Sequence, residues 1–484
     1  MQIDKVIDAA FEPIANAVAT VIFYSVPVMG LDIKIVLVWL VVAAIFFTIY
    51  YGFINIRYFG HAIDVLRGKY DKDNDEGQIN RFQALMTSLS GTVGLGNIAG
   101  VAVAISVGGP GAAFWMAIMG LFGMSTKFTE VTLGVKYRQR GSKSHPESIS
   151  GGPMYYLRSA FERHRSPKMG KFMAGLFAVC CVGGTIGAGG LFQANQAYQQ
   201  ALTISGGEAG FLADKGWLFG LFMAILVGLV IIGGIQWIAA VSSRVVPAMA
   251  IIYIVAGFVV IGFHYTAIPA AMQTIFEMAL YPQAGIGALM GALLMGVQRA
   301  TFSNEAGLGS AAIAHSAVRT DEPISQGMVG MLGPFIDTVI ICMVTALVIV
   351  ISGAYLEGSG IEGVELTSRA FASGISWFPY VLSLTVFLFA YSTMISWSYY
   401  GLKCATYLFG ERDIVEGLYK VIFCIFIVIG ASTQLSSIIL FTDAMVFAMA
   451  VPNIIGLYML APEIKKDLKV YLQQIKLNQN MSEK

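Results

Sequence analysis

Long apolar runs with almost no charge recur along the whole chain, and no other feature limits its fold so tightly. Crossing the hydrocarbon core of a bilayer takes roughly 20 mostly apolar residues in a helix, because every backbone polar group there must be bonded within the protein. Such windows fall at about 31–56, 83–107, 111–135, 172–199, 216–236, 241–263, 285–314, 325–353, 377–403, 417–434 and 437–461. Of the 484 residues, 56% are hydrophobic and 12% charged, against about a quarter charged in an average soluble protein. The expectation is an all-α polytopic membrane protein with about 11 transmembrane helices. Residues 1–30 are read as an N-terminal interfacial segment, 31–461 as the transmembrane domain and 462–484 as a tail. The further apolar stretch at 7–28 is bracketed by Pro13 and Pro27 and is assigned to the interface rather than to a span.

Lysine and arginine set orientation, since they accumulate on the cytoplasmic side. With eleven spans, Arg57, Arg67, Lys69, Lys72 and Arg81 fall on one side with the long basic stretch from Lys127 to Lys171, with Arg244, Arg319, Lys403, Arg412 and Lys420, and with the lysines of the tail. Only Lys5, Lys34, Lys215 and Arg369 fall on the other, and Arg299 lies within a span. This places the N-terminus outside and the C-terminus in the cytoplasm. A net charge of +1 gives no basic field, so no nucleic-acid partner is expected. The five cysteines form no CxxC pair, which points to neither a disulfide framework nor a metal site. The N-terminus lacks the basic region, short apolar core and small-residue site of a cleaved signal, and reads as uncleaved.

Glycine, at 54 residues, is concentrated where it carries information. The second span contains GTVGLGNIAG from Gly91, and the seventh contains QRATFSNEAGLGS from Gln298. Each interrupts a helix near the membrane centre, where unpaired backbone is tolerated only against a cavity or buried in protein. The two breaks are five spans apart and enter from opposite sides. That is the pattern of a 5+5 inverted repeat, with repeat one at about 83–263, repeat two at about 285–461, and the solute site at the breaks.

A broken helix offers N–H donors and a positive dipole end to an anion, and carbonyls to a small cation. The amides of Gly94, Leu95 and Gly96 suit a carboxylate; the carbonyls of Ser90 and Val93 and the side chain of Asn97 suit sodium, which prefers oxygen. The same glycines also permit close helix packing. Span seven adds Thr301, Ser303, Asn304 and Glu305. Glu305 has Arg299 as its nearest sequence partner, and the pair reads either as an internal or gating contact or as part of solute binding. Asp337, near the centre of span eight, either neutralises sodium, carries a proton or is a paired structural aspartate. In span nine Ser392 and Thr393 lie beside Met394 and Trp397, although such hydroxyls often bond only their own helix. Gln193 and Asn195 are two apart, so at most one faces a cavity, and Gln193 is preferred. His315 reads as a packed residue.

The strings GTVGLGNIAGVAVAISVGGPGAAFWM, GMSTKF, SGGPMYYL, FSNEAGLGSAAIAH, GMVGMLGPFIDT and YSTMISWSYYG closely resemble those of the alanine or glycine:cation symporters, also called sodium:alanine symporters. The resemblance covers nearly the whole chain. It implies a fold similar to the leucine-transporter-like inverted-repeat symporters and sodium-driven import of alanine, glycine or a similar small neutral amino acid across a bacterial or archaeal plasma membrane, with no cofactor beyond the coupling ion. It also implies that Gly94 to Asn97 cradle the substrate carboxylate, with Asn97 a sodium ligand. Thr301 and Asp337 take the matching places in the second repeat. A second sodium site joins the Ser90 and Val93 carbonyls to Ala390 and Thr393, and Gln193 matches a glutamine of the family. Many members carry a small hydroxyl residue where this chain has Leu95, which leaves pocket size and the choice among glycine, alanine and serine open.

The expected cavity is small and walled by Phe302, Met394 and Trp397. Proton coupling through Asp337 is the variant within the same class. A cation channel would need a continuous polar path, and a membrane enzyme would need paired histidines, an HExxH string or a serine–lysine arrangement within a span, which the sequence lacks.

Overall fold

The computed structural model describes residues 12–13, 16–28, 31–71, 75–141, 148–281, 285–356 and 363–482. Much of the proposed interfacial segment, and Lys5, Lys72, Lys143 and Lys484 of the charge pattern, lie outside the described residues.

Each of the eleven apolar windows holds a helix or a broken helix. Among the described residues, six helices are long and apolar enough to cross a membrane, and Arg81–Thr92 with Gly96–Gly108 makes a seventh span bent by 52°. Ile35–Tyr50 and Gly216–Ile231 are apolar but only 16 residues each, short of a full hydrocarbon thickness. Gly111–Lys136 and Ile286–Asn304 carry the polar runs STKFTE and QRATFSN, which lower their hydropathy. Length and hydropathy alone therefore return fewer than eleven spans, because some helices trade apolar residues for site residues.

The packing has the logic of a repeat. The first break region contacts the seventh span, Gly111–Lys136 packs on Pro323–Gly330, the fourth span on Phe378–Phe409, and Gly216–Ile231 on Asp413–Ser432. Spans two to five thus meet their counterparts five spans on, while the sixth, Gly234–Phe263, packs on spans two and nine instead. Glycine permits the approach: a Cβ on Gly220 would lie 2.7 Å from the Val428 Cα, and one on Gly296 would lie 2.6 Å from the Ala112 carbonyl oxygen. The outward faces remain apolar. Phe222, Ile225 and Leu229, Ile251 and Phe258, and Leu418, Val421 and Ile425 are all exposed, which is a lipid-facing surface rather than an aqueous one.

Leu435–Ser482 runs through Pro452 and Pro462 without interruption, so residues 462–482, beyond the eleventh apolar window, are helical as well.

Candidate functional site

The first break is built by capping and by lateral support. Asn80 and Gln83 form a capping box that starts Arg81–Thr92, and the helix stops at Val93, whose ψ of 84° leaves the helical region. Gly94 N donates to Asn97 Oδ1 at 2.9 Å and Leu95 N donates to Gln193 Oε1 at 3.1 Å. Gln193 is held by its own donation to the Ala188 carbonyl at 3.0 Å. Two amides of the break are therefore met by neutral side-chain oxygens that an incoming anion can replace.

On the far side of Asn97, its Nδ2 donates to Asp337 Oδ1 at 2.6 Å. Ser303 Oγ and Thr338 Oγ1 donate to Asp337 Oδ2 at 2.7 and 2.8 Å. Spans two, seven and eight thus converge on one carboxylate, which is fully buried and, among the described residues, has neutral hydrogen-bond partners alone. Asn304 bonds Thr338 at 3.0 Å. Thr301 Oγ1 is buried without a partner.

The second wall comes from span nine. Trp397 Nε1 donates to the Gly91 carbonyl at 3.0 Å, its side chain packs so closely on Gly189 that a Cβ there would overlap it, and a Cβ on Gly94 would collide with Thr393 Oγ1. Among the described residues Thr393 Oγ1 has no hydrogen-bond partner. Ser90 Oγ donates to the Ser392 carbonyl at 2.6 Å, tying the helix before the break to the segment that holds Ala390 and Thr393. A Cβ on Gly96 would lie 3.3 Å from the Phe302 ring. Met394 is buried in the same helix. The structure brings Ser90, Gly94, Leu95, Gly96, Asn97, Gln193, Phe302, Ser303, Asp337, Thr393 and Trp397 together around one break. Asn195 turns away, donating to the Thr433 carbonyl at 2.6 Å.

Two placements correct the sequence reading. Arg299 ion-pairs Asp443 of the last helix, and both are buried; Glu305 instead accepts from Ser310. Gln298 also donates to Asp443 at 2.8 Å and accepts from Lys34 at 3.1 Å, so a polar cluster closes the side opposite the basic face, with the Arg299 guanidinium 5.2 Å from the Phe302 ring centroid. Lys127, counted among the basic residues of one face, is 1% exposed within Gly111–Lys136. His315 is packed as expected, bonded to Gln326 at 2.8 Å.

The second break, Glu305 to Gly309, is conformationally demanding. Gly307 and Gly309 have φ of +93° and +82°, and Glu305 itself has +56°, a left-handed region unfavourable for a side-chain residue. Glu130 Oε1 holds it by accepting from Gly309 N at 2.9 Å and Asn453 Nδ2 at 2.7 Å, while Asn453 also donates to the Gly307 carbonyl at 2.9 Å. Sequence reasoning missed Glu130, Lys127, Asn453 and Asp443. Three of them are charges inside apolar windows, and that signal alone was enough to flag them.

The basic face is closed by backbone clamping. Arg138 donates to the carbonyls of Ser316, Val318, Thr320 and Glu76. Arg81, 3% exposed, reaches Asp71 at 2.6 Å, Ser325 at 2.7 Å and Thr320 at 3.0 Å. The segments flanking the two broken helices are thereby tied to each other.

The sequence profile of the sodium:alanine symporter family matches residues 16–484. The sodium/alanine symporter AgcS of Methanococcus maripaludis is 38% identical over 438 residues, covering 90% of this chain and 93% of its own. The amino-acid carrier protein AlsT of Bacillus subtilis is 35% identical over 350 residues, 72% of this chain and 70% of its own. The probable sodium/glutamine symporter GlnT of Bacillus subtilis is 31% identical over 445 residues, 92% and 89%. Among solved structures, MhsT in complex with L-phenylalanine aligns with a TM-score of 0.53 at 15% identity, over 80% of this chain and 89% of its own, a likeness of fold alone. With this match over nearly its full length, a leucine-transporter-like fold and two broken helices meeting at a buried site, the chain belongs to the sodium:alanine symporter family of membrane amino-acid symporters.

Proposed function

We propose that the protein imports alanine, glycine or a similar small neutral amino acid with sodium by alternating access, in the plasma membrane, with its N-terminus outside and its C-terminus cytoplasmic. The observation that carries this reading is the Asp337 carboxylate, fully buried against the first break and bonded by the neutral side chains of Asn97, Ser303 and Thr338. An intramembrane anion is costly unless neutralised, and the oxygens of Asn97, Thr301 and Ser303 are the hard ligands that sodium takes. Asn97 links that cation to the substrate, because its Oδ1 already orders Gly94 N. The carboxylate of the amino acid then replaces Gln193 at Leu95 N. Ser90, Val93, Ala390 and Thr393 form the second candidate sodium position, where spans two and nine meet.

Size follows from the walls. Thr393 and Phe302 lie so close to the glycines of the break, and Trp397 is bonded to the Gly91 carbonyl beside them, that a short side chain fits there better than a long one. AgcS is named for alanine and GlnT for glutamine, so membership alone does not choose the substrate. The membrane potential contributes about 2.3 kcal/mol per charge per 100 mV.

The test is labelled alanine uptake into proteoliposomes under an inward sodium gradient or an inward proton gradient, with unlabelled glycine, serine, D-alanine and leucine as competitors. Sodium-driven accumulation that glycine blocks and leucine does not is the expected result. Accumulation driven by the proton gradient without sodium would overturn sodium coupling. It would make Asp337 the proton carrier, the second reading that its neutral hydrogen-bond shell permits.

A further inference from the structure

Lys127 is among the largest fully buried side chains, and among the described residues its Nζ has no hydrogen-bond partner. Its position is fixed by the face of Gly111–Lys136 that meets the second break. On that helix Gly123, Lys127, Glu130 and Gly134 fall at i, i+4, i+7 and i+11, one continuous stripe. A Cβ on Gly123 would lie 3.0 Å from Ala306, Glu130 accepts from Gly309, and a Cβ on Gly134 would lie 2.9 Å from Ala312. Lys127 therefore sits alongside the break, between its two ends.

The two break carboxylates are served unequally. Glu130 Oε1 takes two N–H donors, from Gly309 and Asn453. Among the described residues Glu305 has one donor, the Ser310 hydroxyl on Oε2, and its Oε1, like Glu130 Oε2, is buried without a partner. Its sequence neighbour Arg299 is committed to Asp443. A buried carboxylate so placed needs a cation nearby, and Lys127 is placed to be one.

We infer that Lys127 is a tethered counter-cation for Glu305 at the second break, holding there the charge that a mobile ion would otherwise supply, so that the second break closes and opens without recruiting sodium. Lys127 is a positioning residue in this scheme and touches neither solute nor coupling ion. The inference rests on the sodium-coupled reading above, and wild-type protein measured alongside separates the two: absence of sodium activation in wild type sinks that reading, whereas the variants below address Lys127.

The experiment is the sodium dependence of alanine uptake in proteoliposomes for wild type, Lys127→Gln, Lys127→Arg and the double variant Lys127→Gln/Glu305→Gln, with thermal unfolding of each purified protein. Loss of one fixed charge calls for one replacing ion, so Lys127→Gln is expected to raise the sodium Hill coefficient by about one over wild type and to move half-activation to higher sodium. Lys127→Arg, which keeps the charge, and the double variant, which removes a charge of each sign, are expected to return both values toward wild type. A purely structural lysine would lower unfolding temperature without changing the Hill coefficient. An unchanged sodium curve in Lys127→Gln overturns the inference, and so does a double variant that unfolds or loses uptake as fully as the single one.

Discussion

At the scale of single residues the site is made by the absence of side chains as much as by their presence. Gly94 faces Thr393 Oγ1 so closely that a methyl group would overlap it, with Gln193 Oε1 a further 3.3 Å contact. Gly94→Ala is therefore expected to abolish alanine uptake and to lower the unfolding temperature, and Gly94→Ala with Thr393→Ala to recover the stability but not the uptake, because the colliding oxygen is then gone and a proposed sodium ligand with it. Uptake by the single variant equal to wild type would show that the break is not packed in this way. Asn97 works through both ends of its amide, accepting from Gly94 N and donating to Asp337. Asn97→Ala leaves two buried groups short of a partner, at about 1–3 kcal/mol each. The expected outcome is a lower unfolding temperature and loss of sodium-stimulated uptake; unchanged rate and sodium dependence would refute its assignment. These residues were legible because the break is local in sequence: glycines, an asparagine and the lone Asp337 stand out against apolar neighbours. Asp443 and Lys127 were equally visible as intramembrane charges. Their roles were not, since those depend on pairing across 144 residues for Arg299 with Asp443 and on the helix face for Lys127.

Between elements, the Arg299–Asp443 pair joins the seventh span to the last helix just above Phe302. Removing one partner of a buried ion pair leaves an uncompensated charge, a cost of about 3–5 kcal/mol, while replacing both by apolar residues is often nearly neutral. Asp443→Asn is thus expected to lower the unfolding temperature markedly. Arg299→Met/Asp443→Leu should regain stability, because no buried charge is then left unpaired. Equal stability of Asp443→Asn and wild type would remove the pair from any closing role. The helices themselves were readable from hydropathy, and the two breaks from glycine. What hydropathy blurred was the third and seventh spans, whose polar runs serve the site. The extra helix Ile268–Leu280 and the helical continuation past Pro462 had no apolar window to announce them.

Across the whole molecule no residue of the first-break cluster is more than 8% exposed, and it lies between the polar cluster of Lys34, Gln298, Arg299 and Asp443 and the bonds that Arg81 and Arg138 make at the basic face. The basic face is reinforced by the extended last helix. Glu463 receives Lys136 Nζ at 2.5 Å and the Tyr137 hydroxyl at 2.8 Å and pairs with Arg163, while Lys136 also pairs with Asp467. Burial works against the Glu463 carboxylate, but the bonds from Lys136, Tyr137 and Arg163 prevail and hold it below the ordinary value of 4.5. A carboxyl depressed on folding stabilises the fold above its unfolded value and loses that contribution as pH falls through its folded value. For Lys136 burial again opposes, and the carboxylates of Asp467 and Glu463 raise it above 10.5, so its share is complete below 10.5 and is lost only as pH rises through the raised value. The clamp is therefore whole across neutral pH and fails first in acid. Unfolding temperature measured against pH should fall below pH 4.5 in wild type. Glu463→Gln should start lower at neutral pH and show a smaller acid-side fall, because the group that titrates has been removed while its size is kept. Identical pH profiles for the two proteins would mean that the last helix is held to the basic face by its apolar contacts, with Glu463 contributing nothing.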